Sequence, residues 1–203
     1  MRHESCTVVA LVTAAPAPVG EPLLAELDSL ANVSIVRPSA PEDDVVESAA
    51  LALGQAARRS SPFALVPADP LAAVAEQWQA MWDLSRNGIT AAVLFDEQAA
   101  HALAAWRARR FELPDYYLVL AGNSAPPALP DFYLGPLRAA RPHRVAVVPA
   151  AGGPEQATGV RDALRSLRHG PWWPPLDELL DATRRFFAGG LAQAGSSLAM
   201  APR

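Results

Sequence analysis

The chain has 203 residues, 51% hydrophobic and 19% charged, with a formal net charge of −4. That length suits one domain, or one domain with an appendage, and the charged fraction lies below the roughly 25% of an average globular protein, so some apolar surface is expected to be covered by a partner. All 17 basic residues are arginine, which excludes a lysine-dependent phosphate loop and Schiff-base chemistry.

Abundant Ala, Pro and Arg without Lys points to a GC-rich, bacterial-like coding bias. The single cysteine, Cys6, excludes an internal disulfide and cysteine-based zinc sites. No basic run stands out beyond Arg107, Arg109 and Arg110, so nucleic-acid binding is not expected.

At the start, Arg2 and His3 precede TVVALVTAAPA, a pattern that faintly resembles a secretory leader. Glu4 and the brevity of the run favour a strand over 7–13 instead. A helix is predicted over 22–31, with Leu23, Leu24, Leu27 and Leu30 on one side, and a second strand over 32–38. A helix over 43–59 follows, acidic at its start and arginine-rich at its end, as the helix dipole favours. PFALVPA (62–68) is the third predicted strand, and 70–84 is strongly helical.

ITAAVLF (89–95) is predicted as a fourth strand, with a helix over 96–110 after it. DYYLVLAG (115–122) is the fifth strand, and 131–143 stays open between a short strand and a helical turn. The sixth strand is RVAVVPA (144–150), followed by a helix over 154–168. Repeated β-α alternation with continuous apolar strands implies a parallel sheet covered on both faces. The expected fold is α/β, a Rossmann-like or flavodoxin-like three-layer sandwich with a mostly parallel sheet of about six strands. The predicted division is one α/β domain over 1–170, a C-terminal helix over 171–188 packed on or beside it, and a flexible tail over 189–203. No run approaches a membrane span, and a cytoplasmic protein is expected.

In an open parallel sheet, ligands bind beyond the carboxyl ends of the strands. That rule selects Thr13, Arg37, Ser39, Asp69, Asp96, Asn123, Ser124, Gly152 and Gly153. Gly152-Gly153 before a helix can let the backbone approach an anion. Pro154 removes one N–H donor, however, and the first β-to-α turn, VTAAPAPVGEP, lacks the glycines of a dinucleotide site. A plain turn is the favoured reading, beside ligand binding. Asp69 and Asp96 are the catalytic candidates, because two carboxylates at neighbouring strand ends can hold magnesium or act as acid and base. Helix N-capping is the favoured reading for each. Asn123 and Ser124 offer polar groups after a strand, though Asn in that place is more often a turn residue.

Glu97 and His101 share a predicted helix face without a third ligand nearby, so no metal site is assigned. Trp172-Trp173, between prolines, either pins the C-terminal helix to the domain or anchors a partner. The sequence names no cofactor. The functional expectation is an accessory or interaction protein, with a small anionic ligand at the strand ends and a protein partner or a homodimer. The alternative is a metal-assisted hydrolase or group transferase that uses Asp69 and Asp96.

Overall fold

The strand Thr7–Thr13 is buried on both sides from Val8 to Val12. Its side chains alternate between two helical layers: Val9 and Leu11 face one, Ala10 and Val12 the other. We name it β1. The computed structural model describes residues 6–13, 19–39, 45–82, 88–121, 131–149 and 154–199. β1 is the centre of a sheet completed by β2 (Val33–Ile35), β3 (Phe63–Val66), β4 (Tyr116–Leu120) and β5 (Val145–Val148). All pairings are parallel and the order is β2-β3-β1-β4-β5. β4 is buried along its whole length, the pattern of a strand covered from both faces.

α1 (Glu21–Asp28) and α6 (Pro154–Arg165) cover one face through Leu23, Leu24, Leu27, Val160 and Leu164. The other face carries α2 (Val45–Ala56), α3 (Ala72–Trp82), α4 (Gly88–Arg107) and α7 (Leu176–Ala199). A π-helical turn, Tyr133–Leu137, and the short α5 (Arg138–Ala140) join that layer. The protein is thus a three-layer α/β sandwich. The chain leaves β1 towards the α1 face and leaves β3 towards the α3 face. Two neighbouring strands whose connections part to opposite faces open a crevice at their carboxyl ends.

The sheet has five strands because the segment expected as the fourth is helical. Residues 89–95 and the helix expected from 96 onward are one helix, α4. Its buried positions, Ala91, Phe95, Ala99, Ala102 and Ala105, recur at helical spacing, while Val93 and Leu94 are exposed. A short apolar run does not distinguish strand from buried helix; here nothing between Gly88 and Arg107 breaks the helix, and the alanines downstream extend it back through the run.

The C-terminal helix is also longer than expected: α7 runs to Ala199, through residues assigned from sequence to a tail. Its first turns are part of the main core, where Trp173, Leu176, Leu179 and Leu180 are buried. Among the described residues no helix is long and apolar enough to cross a membrane.

α4 ends in a Schellman turn. The N–H of Arg110 donates to the Ala105 carbonyl at 3.0 Å and that of Arg109 to Trp106 at 2.9 Å. Arg109 occupies the left-handed position, with φ 55°, where glycine is the usual residue. Arg109→Gly is expected to stabilise the fold by about 0.5–1 kcal/mol, read as a higher denaturant midpoint at unchanged slope.

Candidate functional site

Val66 ends β3, and Pro67-Ala68-Asp69-Pro70 turns the chain into α3. Asp69 faces inward and is only 2% exposed. Its Oδ1 accepts the Leu71 N–H at 3.1 Å, the capping contact expected of this residue. The same oxygen accepts the Tyr117 hydroxyl at 3.0 Å, and Oδ2 accepts the Tyr133 hydroxyl at 2.9 Å. One carboxylate therefore joins three parts of the chain: the start of α3, strand β4 and the π-helical turn.

Burial pushes the Asp69 pKa up to about 6, although the bonds from Leu71, Tyr133 and Tyr117 each favour the charged form. Burial also holds the Tyr117 and Tyr133 hydroxyls well above the usual range, with the Asp69 charge adding to the effect. Both phenols therefore stay protonated and can only donate to a charged Asp69.

A second carboxylate supports Tyr133 from its backbone. Asp131 Oδ1 accepts the N–H groups of Tyr133 and Leu134, both at 2.8 Å, and Oδ2 accepts Gln79 Nε2 at 3.1 Å. Burial raises its pKa, against the pull of those three bonds. The wider turn arises because Pro136 has no N–H to donate, and the Leu137 N–H reaches back to the Phe132 carbonyl at 3.2 Å. Single π-turns of this kind are frequent at functional sites.

Of these groups Asp69, Tyr133 and Gln79 line a cavity of about 270 Å³ in the crevice between β1 and β3, with Tyr117 and Asp131 behind them. Thr13 closes it from the end of β1, and Ala72, Glu76 and Gln79 line it as one stripe of α3. Among the described lining residues the ionisable side chains besides Tyr133 are Asp69 and Glu76, both acidic. The cavity therefore has an apolar body with polar groups converging on one side, the usual make-up of a small-molecule site.

The residues singled out from sequence separate. Thr13 and Asp69 meet at this cavity. Asp96 does not: it lies inside α4 rather than after a strand, and its Oδ1 accepts Nε and Nη2 of Arg184 on α7 at 3.0 and 2.9 Å. Both partners are exposed, so this ion pair is worth little. The pairing of Asp69 with Asp96 thus rested on a strand that is a helix. Asn123, Ser124, Gly152 and Gly153 lie outside the described residues.

The tryptophan pair splits. Trp173 is buried, donates Nε1–H to the Pro114 carbonyl at 2.7 Å and packs edge-on against Tyr117, so it pins the C-terminal segment and offers no surface to a partner. Trp172 is exposed, with the Arg144 guanidinium 4.5 Å from its ring centre.

Sequence reasoning missed Tyr117, Tyr133 and Asp131. One signal was available: a tyrosine in a strand buried on both faces must find an acceptor for its hydroxyl. Which acceptor it finds depends on strand order. Among the described residues no cluster of three or more His, Cys, Asp or Glu is placed to hold a metal ion. Fold and site define an α/β protein with an all-parallel sheet and a carboxylate-tyrosine pocket at its switch point. Comparison with protein-family models, curated proteins and solved structures gives no match for this chain.

Proposed function

We propose that the protein is an accessory binding protein whose small-molecule site is the cavity between β1 and β3. One observation carries the reading: the cavity wall holds a buried carboxylate with tyrosine hydroxyls brought to it from two other elements. Capping α3 needs only the bond to the Leu71 N–H, which a solvated aspartate makes as well. Burying the charge costs free energy unless it is fully paired, and placing it on a cavity aims its field at whatever enters. The acidic lining favours a cationic or neutral hydrogen-bonding ligand, such as an amine or a polyol, over the anion expected from the sequence.

The test is a thermal-shift screen at pH 7.5 against aliphatic amines, polyols, nucleosides, phosphorylated metabolites and divalent metals. A ligand at a hundredfold excess over its dissociation constant adds about 2.7 kcal/mol, or roughly 5–10 °C for a chain of this size. The expected result is a shift with amines or polyols that Ala73→Leu abolishes, because leucine suits α3 while filling the cavity. A flat screen, or a shift that survives Ala73→Leu, overturns the reading.

A proton-transfer enzyme is the second reading, favoured by the Asp69 pKa of about 6, near the working range of a general acid or base. It predicts turnover of a bound ligand that is lost in Asp69→Asn while binding persists.

A further inference from the structure

At the opposite end of the sheet, where the strands begin, a second cavity of about 340 Å³ lies between the ends of α2 and α4. Val8, early in β1, and Pro114, just before β4, place it there. Leu53, Phe111 and Leu113 give it apolar walls, and three arginines, Arg58, Arg109 and Arg110, line it as well. Among the described lining residues Glu112 is the one carboxylate. The three arginines are exposed and, like those of Arg59, Arg138 and Arg185, their side chains have no hydrogen-bond or ion-pair partner among the described residues.

The helix dipole accounts for arginine near the ends of α2 and α4. It does not account for two backbone choices on the same walls. Arg109 stands at φ 55°, where glycine is the stable residue. Gly54 stands inside α2, where alanine is the better helix former, although a Cβ there would meet nothing within 4 Å. The first choice delivers a guanidinium against backbone preference, and the second keeps a side chain off the cavity wall. Strain and lost propensity at one cavity are features that function explains and stability does not.

We propose that this cavity binds the phosphate or carboxylate group of a small organic molecule whose apolar part lies on Leu53, Phe111 and Leu113. Guanidinium groups suit either anion, since their planar donors match its oxygens in pairs. The site is separate from the acidic cavity between β1 and β3 and does not depend on the function proposed for it.

Calorimetric titration of the full chain at low salt, with phenyl phosphate and with benzoate as probes, tests the proposal. At least one probe is expected to bind, and the tighter of the two identifies the anionic group. The double change Arg58→Gln/Arg110→Gln is expected to weaken that probe tenfold or more, as the loss of charge-assisted hydrogen bonds implies. Arg109→Gly is expected to weaken it too while melting at or above the wild-type temperature, which separates binding from folding. Asp69→Asn should leave the affinity unchanged. Failure of both probes to bind, or an affinity that survives the arginine changes, overturns the proposal.

Discussion

Replacing Arg144 by methionine is expected to destabilise the fold by about 3 kcal/mol, a fall in melting temperature of roughly 6–12 °C for a chain of this size. Arg144 is 7% exposed and has no carboxylate partner among the described residues. Its Nε donates to the Pro171 carbonyl at 2.7 Å, Nη1 to Asp115 at 2.8 Å and Nη2 to Gly170 at 2.9 Å. Its carbon centre lies 5.3 Å from the Tyr116 ring and 4.5 Å from the Trp172 ring.

A guanidinium so placed replaces its water shell with carbonyl dipoles and aromatic faces. Methionine keeps much of the bulk but removes the donor from the Asp115 and Gly170 carbonyls, and leaves Pro171 with the His143 ring alone at 2.9 Å. Part of that loss is offset because a desolvated charge is removed, which is why the sum of three charged hydrogen bonds is not expected. Lysine is no substitute: a point charge cannot reach three carbonyls in one plane, and Arg144→Lys should cost about 2 kcal/mol. The same contacts fasten residues 170–173, so the loss should reach Trp173 and the start of α7. A loss under about 1 kcal/mol for Arg144→Met would show that the segment holds by Trp173 and Leu176 alone.

The second large effect is a pH dependence centred on Asp69. Its carboxyl titrates at about 6 in the fold, against 3.8 for an unperturbed aspartate. A raised carboxyl pKa means that the folded state holds the proton more tightly. The stabilisation is therefore full below pH 3.8 and is lost as the pH rises through 6. Its size is about 3 kcal/mol.

Denaturant midpoints measured from pH 4 to 7.5 for the wild type and Asp69→Asn isolate this group, because other titrations largely cancel in the difference. The advantage of the wild type should shrink across that range. Tyr133→Phe removes one donor to the charged form and should move the transition to higher pH. A difference that stays flat with pH would mean that the hydrogen bonds outweigh burial and Asp69 remains ionised throughout.

Much of the architecture is legible in the residues. β1, β3, β4 and β5 follow from continuous β-branched and aromatic runs, since strands covered on both faces need no polar alternation. α6 follows from its apolar spacing and its Pro154 start. The rule that ligands sit at strand carboxyl ends led to Thr13 and Asp69, and both line the cavity there. Asp96 failed under the same rule because the rule needs a strand, and 89–95 carries an apolar pattern that a buried helix satisfies equally well.

What the sequence by itself determined is local: the alternation that makes a parallel α/β sandwich, the turn chemistry of Asp69-Pro70, and the absence of lysine with the chemistries that go with it. What only the tertiary structure decided is which distant residues meet. Tyr117 and Tyr133 are 48 and 64 residues from Asp69, and nothing near any of the three announces the others. Their meeting follows from β3 lying inside β2, next to β1, with α3 and the π-helical turn on the same face. Local pattern comes from backbone sterics and apolar spacing along a few residues. Strand order comes from how whole layers cover one another, and the buried hydroxyls find the carboxylate only once that packing is complete.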